Sequence, residues 1–316
     1  MQLTHADVTT AAERIAGHTR SVVLARADTE TVPVAGDVWL ALEHMQHTGS
    51  FKARGAANFV LAHQARGRLP RVGITLASGG NAGVAGAWAA RLVGSSATVF
   101  LPDATPAVKL ARLRTHGAQV LCGNGGYAEA AAECERFAAV SGALRSHAYD
   151  DPYIAAGAGT LLEEIVAQLP DLDTVLVAVG GGGLLAGITV SANHHGVRVV
   201  AVEPENCRAF NAALAAGAPV DVDIDSVAAD SLGARRVTPI ALSAAAAGDV
   251  QSVLVTDEQI ASARQTLWDT RRLAVEHGAA TALAALLSGV YVPSPGETVA
   301  VVVCGANTDP ADLVAR

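Results

Sequence analysis

Thr174-Val175-Leu176-Val177-Ala178-Val179-Gly180-Gly181-Gly182-Gly183-Leu184 is an unbroken apolar, largely β-branched run that ends in four consecutive glycines. A run without polar alternation reads as a strand buried on both faces, as in parallel sheets covered by helices. Ordering four glycines costs backbone entropy that a simple turn seldom requires. A backbone wrapped around a phosphate, with the next helix N-terminus aimed at it, accounts for them better. The stretch lacks the spacing of the dinucleotide fingerprint and the Gly-Lys-Ser/Thr of a Walker loop. The same order recurs upstream, where Val72 to Leu76 reads as a strand and Ala77-Ser78-Gly79-Gly80-Asn81-Ala82-Gly83 follows it. That second loop serves equally as a tight turn or as a cradle of N–H groups for a carboxylate or phosphate.

Outward from these junctions, Ala97 to Leu101, Val197 to Val202 and Thr298 to Val303 also read as buried strands. Stretches rich in Ala, Leu, Arg and Glu between them predict helices over Ala82–Leu92, Ala107–His116, Tyr127–Val140, Thr160–Leu169 and Asp257–His277. Pro106 suits a helix start, Gly117 a C-cap, Asp257 an N-cap, and Gly278 the end of the long late helix. In that helix Arg264, Arg271 and Arg272 read as solvent-facing charges, and Ala241–Ala247 reads as a surface helix or loop. The alternation predicts an α/β fold of open, mostly parallel sheets flanked by helices, and 316 residues suffice for two lobes.

Composition narrows the function. Charged residues are 16%, hydrophobic ones 51%, and the formal net charge is -8. This composition excludes a disordered chain and argues against a nucleic-acid partner, whose phosphates an acidic surface repels. No apolar run reaches membrane-spanning length, and Met1 to Arg14 lacks the apolar centre of a signal peptide. Cys122, Cys134, Cys207 and Cys304 show no CxxC spacing and read as buried thiols of a reducing compartment, so the cytoplasm is expected. The ten histidines form no metal signature, and His194-His195 before Gly196 reads as a surface turn.

One lysine stands out, in Ser50-Phe51-Lys52-Ala53-Arg54-Gly55-Ala56. If buried beside Phe51 and small residues, its ammonium is disfavoured, which an amine needs in order to form an imine with an aldehyde. On composition alone it reads more simply as an ordinary lysine at the start of a helix beginning near Phe51.

Together, Ser50 to Ala56, Ser78-Gly79-Gly80-Asn81 and Gly180 to Gly183 resemble, in order and spacing, the serine/threonine dehydratase family of fold-type-II, tryptophan-synthase-β-like pyridoxal-phosphate enzymes. The resemblance runs from about Gly17 to the chain end and includes Thr105 to Lys109 and Gly157-Ala158-Gly159-Thr160 with Glu164. It implies that Lys52 links to pyridoxal 5'-phosphate, is freed by the substrate amine, and then acts as the base at Cα. It implies that Phe51 packs beside the pyridine ring and that Asn81 bonds the 3-hydroxyl. Gly180, Gly181, Gly182 and Gly183 would hold the phosphate, and Cys304 would face the pyridine nitrogen. Ser78, Gly79, Asn81 and Ala82 would receive the substrate carboxylate.

The implied activity is elimination of ammonia from a β-hydroxy-α-amino acid such as L-threonine or L-serine. Hydroxyaspartate or phenylserine lyases, racemases and β-replacement enzymes are alternatives on the same fold, and a non-catalytic amino-acid-binding relative is another. The implied lobes are a large cofactor-binding domain, 1–72 and 148–316, and a small mobile domain, 73–147. A homodimer is implied as well.

Some positions depart from the family pattern. Gly79 and Ala82 replace a serine and a histidine, and that serine is the second base of the eukaryotic racemase. Cys304 replaces a hydroxyl residue. Glu203 matches a cation ligand of some relatives, but Ala209 stands where they place an aspartate, so no metal is expected. Glu276 matches a glutamate near the substrate, although His277 replaces a proline. His147 lies in a segment that approaches the site in the family and serves equally as a structural residue. The C-terminal regulatory domain of isoleucine-inhibited deaminases is not expected.

Overall fold

The computed structural model describes every residue except 1, 35, 104, 124, 315 and 316. Among the described residues, ten strands form two sheets. They are β1 (Leu24–Arg26), β2 (Asp37–Ala41), β3 (Ile74–Ala77), β4 (Ala97–Pro102), β5 (Gln119–Gly123), β6 (Leu144–Arg145), β7 (Thr174–Ala178), β8 (Arg198–Pro204), β9 (Val250–Val255) and β10 (Thr298–Val302). The larger sheet runs β1-β2-β10-β7-β8-β9, with only the β1–β2 pair antiparallel. The smaller sheet, β5-β4-β3-β6, is wholly parallel. Every residue of β7 is buried, which is why the opening run shows no alternation.

The helices that matter for the site are α1 (His5–Ile15), α2 (Lys52–Ala65), α3 (Asn81–Leu92), α4 (Ala107–Thr115), α5 (Tyr127–Ser141), α6 (Pro152–Gln168), α7 (Gly183–His195) and α8 (Ala209–Ala216). The expected α/β architecture is the observed one. Strand order explains how remote parts of the chain meet. β2, β10 and β7 are neighbours, so their carboxyl ends deliver the lysine segment, Cys304 and the four-glycine loop to one edge. Ligands bind at this edge in open parallel sheets.

Several local expectations give way to packing. α6 begins at Pro152 rather than Thr160, because Asp151 caps it by accepting from the N–H groups of Tyr153 at 2.7 Å and Ile154 at 3.2 Å. Gly157 and Gly159 are contact points inside that helix. A Cβ on Gly157 would lie 2.7 Å from the Cα of Gly55, and one on Gly159 would lie 2.7 Å from the carbonyl of Gly187.

The late helix is not continuous. It ends at Arg271, Arg272 takes a left-handed φ of 55°, and a second helix runs His277–Leu287. The first of the two is capped by Thr256, not Asp257. Gly278 therefore lies at the start of the second helix instead of closing the first. Arg264 is buried, bonded to the Val275 carbonyl and the Asp312 carboxylate, and Arg271 pairs with Asp28. Ala241 to Ala247 falls mostly in the helix Pro239–Ala246, which buries Ala241, Ala244 and Ala245. Cys122 is exposed, whereas the other three thiols are buried. Among the described residues, no helix is long and apolar enough to cross a membrane.

Candidate active site

Lys52 is one of two lysines in the chain; the other is Lys109. Lys109 pairs with Asp230. Among the described residues, Lys52 has no carboxylate within ion-pair distance. Its Nζ donates to the Ala148 carbonyl at 2.9 Å and lies 4.6 Å from the centre of the Phe51 ring. Burial pulls its pKa down to about 8, against weaker opposing effects of Cys304 and Glu276. The neutral amine, which imine formation and proton abstraction both require, is therefore far more accessible near neutral pH than for an ordinary lysine.

The turn before Lys52 is strained and braced. Thr48 has φ 64° and Gly49 φ 73°. For a β-branched threonine this is an unusual conformation. It is held by bonds from Asn307 Nδ2 to the Thr48 carbonyl (2.7 Å) and from the Ala306 N–H to the Gly49 carbonyl (2.9 Å). The Phe51 N–H then donates to the Cys304 carbonyl at 3.0 Å. The lysine segment is thus sewn to the end of β10.

Gly180 to Gly183 leave the end of β7 and open α7. Gly182 has φ 93°. Cβ atoms here would strike the chain itself: one on Gly181 would lie 2.3 Å from the Tyr149 ring, and one on Gly180 would lie 3.0 Å from the Leu232 Cα. Close packing is thus a second reason for the glycines, one that the sequence did not show. Among the described residues, none of the N–H groups of Gly180 to Gly183 has an acceptor. Buried N–H groups without partners are costly, and at a helix N-terminus they favour an anion. Ser50 Oγ and Thr48 Oγ1 are also buried without a partner. These unpaired donors and the desolvated lysine fit a phosphate-bearing aldehyde such as pyridoxal phosphate.

Cys304 is buried, its Sγ 3.9 Å from the Gly278 carbonyl, and burial pushes its pKa up to about 12. The thiol stays neutral and is at most a weak donor. Asn81 opens α3 and is clasped at both ends. Its Nδ2 donates to both Glu276 oxygens at 3.0 Å, and its Oδ1 accepts from Asn307 Nδ2 at 2.6 Å. Ser78 and Gly79 lie in the loop ahead of it and Ala82 in the first turn of α3. A cavity of about 60 Å³ lies beside Ser78 and Ala148, lined also by Tyr127, Cys134, Ser146 and His147. Arg145 borders it, but its guanidinium is bonded to Glu135 at 2.6 Å.

A family model described as pyridoxal-phosphate dependent enzyme matches residues 17–305. The chain belongs to this family. Relatives agree with that assignment. The enzyme is 36% identical over 276 residues to an L-threonine ammonia-lyase of Geobacter sulfurreducens, covering 86% of this chain and 67% of that one. It is 38% identical over 288 residues to a serine dehydratase-like protein of Mus musculus, covering 87% and 86%. Among solved structures, maize serine racemase superposes with a TM-score of 0.92 at 25% identity, covering 99% of this chain and 96% of that one.

Two of the enzyme's site residues escaped the sequence reading. Asn307 joins Thr48, Asn81 and Glu276, its own N–H donating to Glu276 Oε1 at 2.7 Å. Tyr149 walls the glycine loop. The signal available for Asn307 was its place three residues beyond Cys304. Tyr149 gave none beyond lying near His147. His147 itself serves the backbone, since its Nδ1 accepts from the Asp150 N–H at 2.8 Å. Glu203 caps α8, accepting from the Phe210 and Asn211 N–H groups at 2.8 Å each.

Proposed function

We propose that this enzyme is an ammonia-lyase (dehydratase) for a small β-hydroxy-α-amino acid, with L-threonine or L-serine as substrate. The observation that carries the reading is Lys52, a desolvated amine bonded to the carbonyl of Ala148, whose neighbour Tyr149 walls the four-glycine loop. In this reading Lys52 would anchor pyridoxal phosphate covalently, the N–H groups of Gly180 to Gly183 would hold its phosphate, Phe51 would pack beside its ring, and Cys304 would face its ring nitrogen. Once bound, pyridoxal phosphate supplies an electron sink for negative charge at Cα. The neutral Cys304 thiol would not protonate the ring nitrogen, which would temper that sink and favour prompt loss of the β-hydroxyl.

The chain's own residues then perform the following steps. Ser78, Gly79, Asn81 and Ala82, at the N-terminus of α3, receive the substrate carboxylate and fix its orientation. Lys52 Nζ, in its neutral form, takes the proton from Cα; its lowered pKa of about 8 makes that form more accessible than for an ordinary lysine. The hydroxyl leaves with a proton as water. Hydrolysis of the released product yields a 2-oxo acid and ammonia, which balances threonine against 2-oxobutanoate plus NH3. Gly79 has no side chain to reprotonate the other face, which supports elimination over racemisation.

The side cavity supports a small substrate. A benzene ring fills a cavity of roughly 150 Å³, more than twice the space beside Ser78. Among the described residues that line this cavity, Arg145 is the one Lys or Arg, and its pairing with Glu135 disfavours an acidic β-substituent. The same reading includes a small lobe (73–147) that closes on a large one (1–72 and 148–316), a homodimer and a cytoplasmic location. The smaller sheet supports the lobes, since all four of its strands fall within 73–147.

The test is a joint assay of 2-oxobutanoate and ammonia from L-threonine by the cofactor-loaded enzyme, with and without an added thiol. Equal amounts of both products, unaffected by the thiol, are expected. Lys52→Ala should lower the rate by roughly 10³ or more. Full turnover in that variant, or a thioether product, would overturn the proposal.

A further inference from the structure

Far from this site, three helices bring three imidazoles and one carboxylate together. His5 opens α1, Glu163 lies on α6, and His194 and His195 end α7. The backbones beneath them are closely packed: a Cβ on Gly187 of α7 would lie 2.2 Å from the Ala155 carbonyl of α6, and one on Gly159 would lie 3.0 Å from Val8 of α1. The side chains therefore project from a rigid base.

His5 and His194 stack with ring centroids 3.7 Å apart, and His195 stands across them, 5.7 Å from His5 and 4.9 Å from His194. One ring nitrogen of each histidine lies within 4.8 Å of the others. Glu163 binds two of the rings, through Oε1 to His5 Nε2 at 3.0 Å and through Oε2 to His195 Nε2 at 3.1 Å, and it also accepts from Ser191. A carboxylate that fixes one nitrogen of an imidazole sets the tautomer and frees the other nitrogen to ligate. The C-terminal end of α7 adds partial negative charge beside His194 and His195.

We infer that His5, His194 and His195, the first and last of them held by Glu163, form a binding site for a divalent transition metal of the zinc class. Imidazole nitrogen suits this class, and hard cations prefer oxygen. Four-coordinate zinc with Zn–N bonds of ~2.05 Å places its ligand nitrogens roughly 3.3 Å apart. The rings must unstack and converge by about an ångström or two, which partly exposed side chains do readily. Water completes the shell, or Glu163 does so by turning one oxygen inward. The metal would be structural rather than catalytic. α7, 13 residues long, separates it from the four-glycine loop by roughly 20 Å at 1.5 Å per residue. It would staple α1 to the helix whose other end carries that loop.

The experiment is equilibrium dialysis of the metal-stripped holoenzyme against ZnCl2, with thermal melting in the same buffers. One zinc per chain is expected, with a rise in Tm of several degrees once zinc is in about hundredfold excess over its Kd. The His194→Ala/His195→Ala variant, whose changes lie at an exposed helix end, should bind at least about tenfold more weakly per lost imidazole, lose the Tm rise, and keep its ammonia release. Cobalt(II) provides a second readout: visible bands of a low-symmetry nitrogen–oxygen site are expected, without the near-ultraviolet band of a thiolate ligand. Zinc binding equal in the wild type and the variant, no binding in the micromolar range, or a thiolate band implicating exposed Cys122 would each overturn the assignment.

Discussion

The two strand–glycine–helix junctions share one design and differ in what surrounds them. Gly180 to Gly183 are walled by the Tyr149 ring, the Leu232 backbone, Val237 and Ala241. Around Ser78 to Gly80 the neighbours are mainly side-chain tips: Leu101 and Thr105 near Gly79, and for Gly80, among the described residues, nothing closer than the Asp230 carbonyl at 4.0 Å. A seat walled by backbone and aromatic ring suits a group that stays through many turnovers. A half-open loop suits a group that enters and leaves in each one. The close contact of the second junction lies in the first turn of its helix, where a Cβ on Gly83 would overlap the Ser78 carbonyl at 1.8 Å. That glycine sets the loop's shape while leaving its outer face free.

This contrast is sharpest in paired substitutions. Gly181→Ala forces the Tyr149 ring to move, and overpacking of this kind costs about 1–3 kcal/mol. It should also speed loss of pyridoxal phosphate on dialysis by tenfold or more. Gly80→Ala, at φ -96°, should stay within about 0.5 kcal/mol of the wild type in urea melts and retain its cofactor. Equal damage from both changes would erase the distinction between a fixed seat and an exchanging one.

A smaller effect is expected at the tie between the loops. Asn307→Ala removes the bonds to Asn81 and Thr48. Because Asn307 acts through Asn81, KM for the amino acid should rise several-fold with kcat changed less, and Asn307→Gln should recover little of it. A fall in kcat alone would place Asn307 among the reacting groups instead.

The subtlest effect is one of pH. Lys52 has its pKa lowered from 10.5 to about 8, so between those values the unfolded chain holds the extra proton. Stability of the cofactor-free protein should then rise with pH across about 8 to 10.5 through this group. Below pH 8 both states are protonated and the full cost of burying the charge remains. Lys52→Met should therefore be more stable than the wild type near pH 7, with the gap closing as pH approaches 10.5. A gap independent of pH would mean that Lys52 is not desolvated.

The same contrast explains what could be read from the sequence. β7 and β8 were legible because both faces are buried and β-branched runs leave little ambiguity. β9 was not, since it is an edge strand with half-exposed positions, and β1 and β6 are too short to leave a pattern. The break at Arg272 was hidden because 257–277 has no internal Gly or Pro. Its consequence is functional, for it carries Glu276 to Asn81. Lys52 and the glycine loops were legible because their chemistry is local. The clasp of Asn81, Glu276 and Asn307 was not, because only the folded chain brings together residues separated by as many as 226 positions.

The central claim is that Lys52 is the residue that holds pyridoxal phosphate. It is tested most directly by borohydride reduction of the cofactor-loaded protein followed by peptide mass spectrometry. With only Lys52 and Lys109 in the chain, the result is close to binary. The account predicts a pyridoxyl mass on the Lys52 peptide, lost when L-threonine is added before reduction. A label on Lys109, or none on either lysine, would contradict it.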